Sequence, residues 1–120
     1  MNINWNGMIA FFGTGDLKKT EQFYKEILGF SLEKDQGKCQ IYDVPGGGKI
    51  GFCSHIPVNA HSKSPIITFV TDEVDQVYEN MINRGLVIQN KPEKNLYFHI
   101  YHFFVQDPNG YTVEIQKFLE

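Results

Sequence analysis

Basic clusters, long apolar runs and cysteine are what this chain has least of. No apolar stretch approaches the roughly 18 residues that a membrane-crossing helix needs. The opening MNINWNGMIAFF has neither a basic segment nor an apolar run long enough for a secretory signal, so a cytoplasmic protein with no membrane partner is expected. Lys and Arg number 11 against 14 Asp and Glu, for a net charge of −3, and no cluster exceeds the pair Lys18-Lys19. A phosphate backbone wants a basic face, so nucleic acid is not expected as a partner. The two cysteines, Cys39 and Cys53, form neither a disulfide framework nor a metal-type pair spacing. They read as reduced, buried thiols on neighbouring strands, with no basic residue beside them to activate either.

What the chain does have is enough apolar material for one ordinary domain. Its 120 residues are 42% hydrophobic and 21% charged, outside the disordered and fibrous classes. Met8 to Gly13 reads as a strand, Asp16 as the cap of a helix from Leu17 to Leu28, and Gly29 as its left-handed terminator. Three strands follow, at Phe30 to Gln36, Lys38 to Val44 and Lys49 to His55. A polar connector from His55 to Ser64, including His61, leads to a strand at Ile66 to Val70. Asp72 then caps a helix from Glu73 to Arg84, ended by Gly85. A short strand at Leu86 to Gln89, a polar loop through Lys91 to Asn95 and a hairpin around Asp107-Pro108-Asn109-Gly110 complete the chain.

The order is βαβββ twice, and residues repeat with it. Phe23, Tyr24, Ile27 and Leu28 return 54 positions later as Val77, Tyr78, Met81 and Ile82, which points to a duplicated half-domain. That repeat, the opening AFFGTGDLKKTEQFYKEILGF and the closing DPNGYTVEI together resemble the vicinal oxygen chelate superfamily, which includes glyoxalase I, extradiol dioxygenases, fosfomycin-resistance enzymes and bleomycin-binding proteins. The resemblance spans nearly the whole chain. It implies an α+β fold: two βαβββ modules, about 6–55 and 65–117 of a single 1–120 domain, with curled mixed sheets forming a cup, helices outside, and a homodimer.

The resemblance also implies four positions where metal-dependent members carry His, Gln or Glu. Counted back from Asp16 and Asp72, the first-strand positions fall on Ile9 (or Ala10) and Ile66 (or Ile67), and aligning Gly48-Lys49-Ile50-Gly51-Phe52 with Gly110-Tyr111-Thr112-Val113-Glu114 puts the last-strand positions at Phe52 and Glu114. Only Glu114 has a donor, so no metal or other cofactor is expected, although a lone carboxylate leaves a divalent ion possible. A hairpin with one extra turn residue puts Phe104 opposite Glu114 and His102 opposite Gln116, on one face; a two-residue turn would substitute His99 for His102. Glu114 and His102 are therefore the catalytic candidates. Phe11, Phe52, Phe104, Glu114 and Gln116 are the expected lining for a small organic ligand, planar or cationic. Two functions remain open: a metal-independent binder of the bleomycin-binding kind, and a glyoxalase-type lyase or isomerase using Glu114 and His102 with an unusual metal or none.

Overall fold

The computed structural model describes residues 2–61 and 64–119 and divides the chain into two compact units, Met1–Asn59 and Ala60–Glu120. The division falls in the expected connector, of which Ser62 and Lys63 lie outside the described residues.

The first unit is a four-stranded sheet in the order β1-β4-β3-β2: β1 (Ile9–Gly13), β2 (Ser31–Asp35), β3 (Cys39–Asp43) and β4 (Lys49–Cys53). β1 runs parallel to β4 while β3 is antiparallel to both β2 and β4. Between β1 and β2, α1 (Leu17–Glu21) opens on Asp16, whose carboxylate accepts the Lys19 N–H at 3.0 Å. The helix does not run on in α form to Leu28. It widens into a π-helical segment at Gln22–Ile27, closed by Leu28 N–H to Phe23 O at 3.0 Å. The wider turn breaks the expected stripe: Thr20, Phe23 and Tyr24 are buried, whereas Ile27 and Leu28 are half-buried.

The second unit repeats the plan in the order β5-β8-β7-β6, with β5 (Ile66–Val70), α2 (Val74–Asn83), β6 (Glu93–Asn95), β7 (Ile100–Gln106) and β8 (Thr112–Phe118). Ile67, Val74, Met81, Phe103, Val105, Val113 and Ile115 are buried, and Tyr78 of α2 meets Phe103 edge-on at 5.4 Å between ring centroids. One sheet face therefore packs on the helix. By the two-residue period of strands, His102, Phe104, Glu114 and Gln116 belong to the opposite face.

Three sequence expectations are corrected here. Asp72 does not cap α2; the Thr71 hydroxyl accepts the Glu73 N–H at 3.1 Å, and the helix starts at Val74. The strand expected at Leu86 to Gln89 is irregular chain, and β6 forms instead in the stretch read as a polar loop. Pairing of Glu93 with His102 and of Asn95 with Ile100 outweighs the poor strand propensity of Glu-Lys-Asn. Cys39 and Cys53 are cross-strand neighbours but not reduced: they form a disulfide. Ser54 N–H to Lys38 O makes the adjoining residues a hydrogen-bonded pair, so Cys39 and Cys53 occupy the closer, non-hydrogen-bonded kind of site. Spacing in sequence did not reveal that proximity as a bond.

Candidate active site

The closing hairpin is held by its first residue. Buried Asp107 accepts the N–H groups of Asn109 and Tyr111, each at 2.9 Å, while its own N–H donates to Tyr111 O at 2.9 Å. Gly110 adopts φ 91°, which a side chain would resist. These bonds leave no slack in the turn. Phe104 accordingly stands opposite Glu114 and His102 opposite Gln116, and the two-residue turn with His99 in place of His102 does not occur. His99 lies outside the strand, exposed, at φ 56°.

On this face, the His102 Nδ1 and Glu114 Oε2 atoms are 2.6 Å apart, and the Thr68 hydroxyl donates to Glu114 Oε1 at 2.7 Å. Both carboxylate oxygens are thus engaged, with the His102 and Glu114 side chains each only 11% exposed. A carboxylate accepting from Nδ1–H leaves Nε2 as the nitrogen offered to a ligand. Phe104 meets the imidazole edge-on at 5.1 Å and is itself 45% exposed. Thr68 was not singled out from the sequence. Its signal was available, as the only polar residue in the strand Ile66–Val70, but its partner depended on the parallel register that sets Thr68 beside Glu114.

Beside this network lies a cleft of about 570 Å³ lined by the 87–91 loop, Glu93 and β7 from His102 to Gln106. Pro92, which cannot donate to a ladder, directly precedes β6, whose pairing with β7 starts at Glu93 and His102. Val87, Gln89 and Lys91, none of them expected from sequence, supply a mixed apolar and polar wall, and no motif marks them.

The expected aromatic lining is not gathered as foreseen. Phe52 is 0% exposed and packs on Tyr24, with ring centroids 4.6 Å apart, within reach of Phe12 and Tyr42. It belongs to the helix-facing core of the first unit, so its expected cavity position is wrong by one residue. The register explains the slip: Ile9 pairs with Lys49 as Ile66 pairs with Thr112, so the position equivalent to Glu114 is Gly51. Phe11 faces away from that core and covers Gly51, where an added Cβ would come within 2.5 Å of its ring. Gln116 lies on the His102 face, half-buried. His61 is exposed; His55, exposed too, has its Nδ1 3.9 Å from Cys39 Sγ, so the expectation of no basic neighbour beside the cysteines is corrected. Among the described residues no helix is long and apolar enough to cross a membrane.

Comparison with known proteins decides the family. The model of the glyoxalase/bleomycin resistance protein/dioxygenase superfamily matches residues 8–115. The chain belongs to this superfamily. The Bacillus subtilis (strain 168) protein YraH is 27% identical to it over 121 aligned residues, covering 87% of this chain and 91% of the relative. A glyoxalase/bleomycin resistance protein/dioxygenase from Nocardioides has a TM-score of 0.74 at 19% identity, covering 100% of this chain and 87% of that one. Lactoylglutathione lyase from Agrobacterium tumefaciens has a TM-score of 0.72 at 18% identity, covering 92% and 91%. At these identities the structural neighbours carry the superfamily fold, an α+β arrangement of two four-stranded mixed sheets with helices, and nothing finer.

Proposed function

We propose that this superfamily member binds a small organic molecule in the cleft of its second unit, without the usual metal ligand set. The observation that carries the reading is the Thr68–Glu114–His102 chain ending at the cleft beside the exposed ring of Phe104. A fixed imidazole orients a polar group of the ligand, and the aromatic ring supplies a planar apolar wall. The superfamily's metal positions fall on Ile9, Gly51, Ile66 and Glu114, three of which have no donor atom in the side chain; this set does not fit a divalent ion. The family resemblance is the basis for proposing a homodimer as well.

The 2.6 Å His102–Glu114 contact favours a second reading, a lyase or isomerase of the glyoxalase type. In it His102 Nε2 takes a proton from a carbon next to a carbonyl and returns it to the neighbouring carbon or oxygen, while Glu114 stabilises the imidazolium.

A thermal-shift screen of planar aromatic cations and hydroxylated aromatics, followed by calorimetric titration of any hit, tests both. Glu114→Gln and His102→Ala are expected to weaken binding tenfold or more; unchanged affinity in both variants would remove this network from the site. Deuterium exchange into the hit, present in the wild type and lost in His102→Ala, separates the second reading from simple binding.

A further inference from the structure

The first unit carries a second cluster of chemistry-bearing side chains that the proposed function does not use. The sulfur atoms of Cys39 and Cys53 and a ring nitrogen of His55 all lie within 4.8 Å of one another. Cys53 is buried, Cys39 half-buried and His55 exposed, so the cluster is anchored in β3 and β4 and open to solvent on the histidine side. We propose that, once the disulfide is reduced, Cys39, Cys53 and His55 form a Cys2His site for a soft divalent d10 cation such as Zn2+, and that reoxidation expels the ion.

The strand pairing supplies the preorganisation. Cys39 and Cys53 face each other at a Cα separation of 4.1 Å as the end pair of a regular antiparallel register that runs from there to Asp43 and Lys49, so their side chains share one face whether or not the sulfurs are bonded. His55 lies two residues beyond Cys53 and places Nδ1 3.9 Å from Cys39 Sγ. Tetrahedral zinc, with Zn–S of about 2.3 Å and Zn–N of about 2.0–2.1 Å, holds a sulfur and a nitrogen roughly 3.5 Å apart and two sulfurs roughly 3.8 Å apart. The histidine is therefore within a few tenths of an ångström of a ligating separation from Cys39 Sγ, and within 4.8 Å of Cys53 Sγ. The sulfurs reach theirs by side-chain rotation after the bond is broken. Three protein donors leave the fourth position to water.

The chemistry balances with a dithiol as reductant. It delivers two electrons and two protons, the Cys39–Cys53 bond breaks to two thiols, and the reductant becomes a cyclic disulfide. Zn2+ then displaces both thiol protons to solvent as it binds two thiolates and the neutral imidazole. A disulfide oxidant reverses this: it takes two electrons from the thiolates and two protons from solvent, leaves as its dithiol, and the Cys39–Cys53 bond re-forms, which takes two of the three donors from the Zn2+ and releases it.

Co2+ serves as the spectroscopic probe. Under anaerobic conditions, protein reduced with a phosphine and freed of it is expected to bind one equivalent of Co2+ with a thiolate-to-cobalt charge-transfer band, which Zn2+ bleaches by displacement. The disulfide form is expected to give no such band. Because His55 is exposed, His55→Ala should keep the fold, verified by circular dichroism, and weaken Co2+ at least tenfold; Cys39→Ser should abolish the charge-transfer band. No band in the reduced protein would overturn the proposal. So would Co2+ affinity in the disulfide form equal to that of the reduced form, or a His55→Ala variant that binds as tightly as the wild type.

Discussion

The energetic core of the candidate site is the His102–Glu114 contact, and a double-mutant cycle measures it. His102→Ala, Glu114→Gln and the double variant are compared with the wild type. The two side chains are 11% exposed, so solvent screens them far less than it does a surface pair. A hydrogen bond to a charged group contributes about 1.5–3 kcal/mol. The amide supplied by Glu114→Gln still offers a carbonyl oxygen to Thr68, so that bond persists in both arms, and the loss of the His102 contact with Phe104 cancels between arms. The expected coupling is therefore about 1.5–3 kcal/mol, or about 10- to 150-fold in the unfolding constant. Urea unfolding reads it: with m of about 1–3 kcal/mol/M, the non-additive part of the midpoint shift is on the order of 1 M. Additivity to within about 0.5 kcal/mol would mean that the two side chains act independently, and the site would lose its preorganised pair.

Two further outcomes follow from residues the structure relocated or buried. Phe52→Ala should cost about 3–5 kcal/mol because it empties the space among Tyr24, Tyr42 and Phe12, whereas Phe11→Ala, at a ring already 47% exposed, should cost far less; chemical denaturation giving the reverse order would refute the register assigned to β4. Burial pushes the Tyr42 phenol above the ordinary tyrosine range, with Glu21 and Asp35 adding to the shift. A raised value favours the protonated form in the folded state, so this stabilisation is complete below about pH 10 and is lost as pH rises beyond it. Tyr42 is therefore expected to ionise only together with alkaline unfolding; a tyrosinate step that precedes loss of near-ultraviolet dichroism and vanishes in Tyr42→Phe would contradict this.

Much of the fold was legible because its determinants are local. Asp16 caps a helix by its own side chain, Gly29 and Gly85 end helices at φ 81° and 86°, and Asp107 to Tyr111 closes a turn through hydrogen bonds among its own residues. The hairpin register followed from that turn, and with it the placement of Phe104 opposite Glu114 and of His102 on the same face. The misread elements depend on partners distant in sequence. β6 exists through its pairing with β7, and Thr68 reaches Glu114 across 46 residues. Phe52 was placed by counting from a glycine in each half, and the two turns differ by one residue in how they enter the last strand, which inverts the face.

By itself, then, the sequence determined the duplicated βαβββ plan and the superfamily, and it offered the Glu114 carboxylate as a candidate, since these rest on turn chemistry, apolar period and side-chain identity. Only the tertiary structure decided which groups stand against that carboxylate, that a cleft lies beside it, and that Cys39, Cys53 and His55 converge. Those are matters of register between strands, and a shift of one residue in register exchanges the two faces of a sheet without changing any local preference.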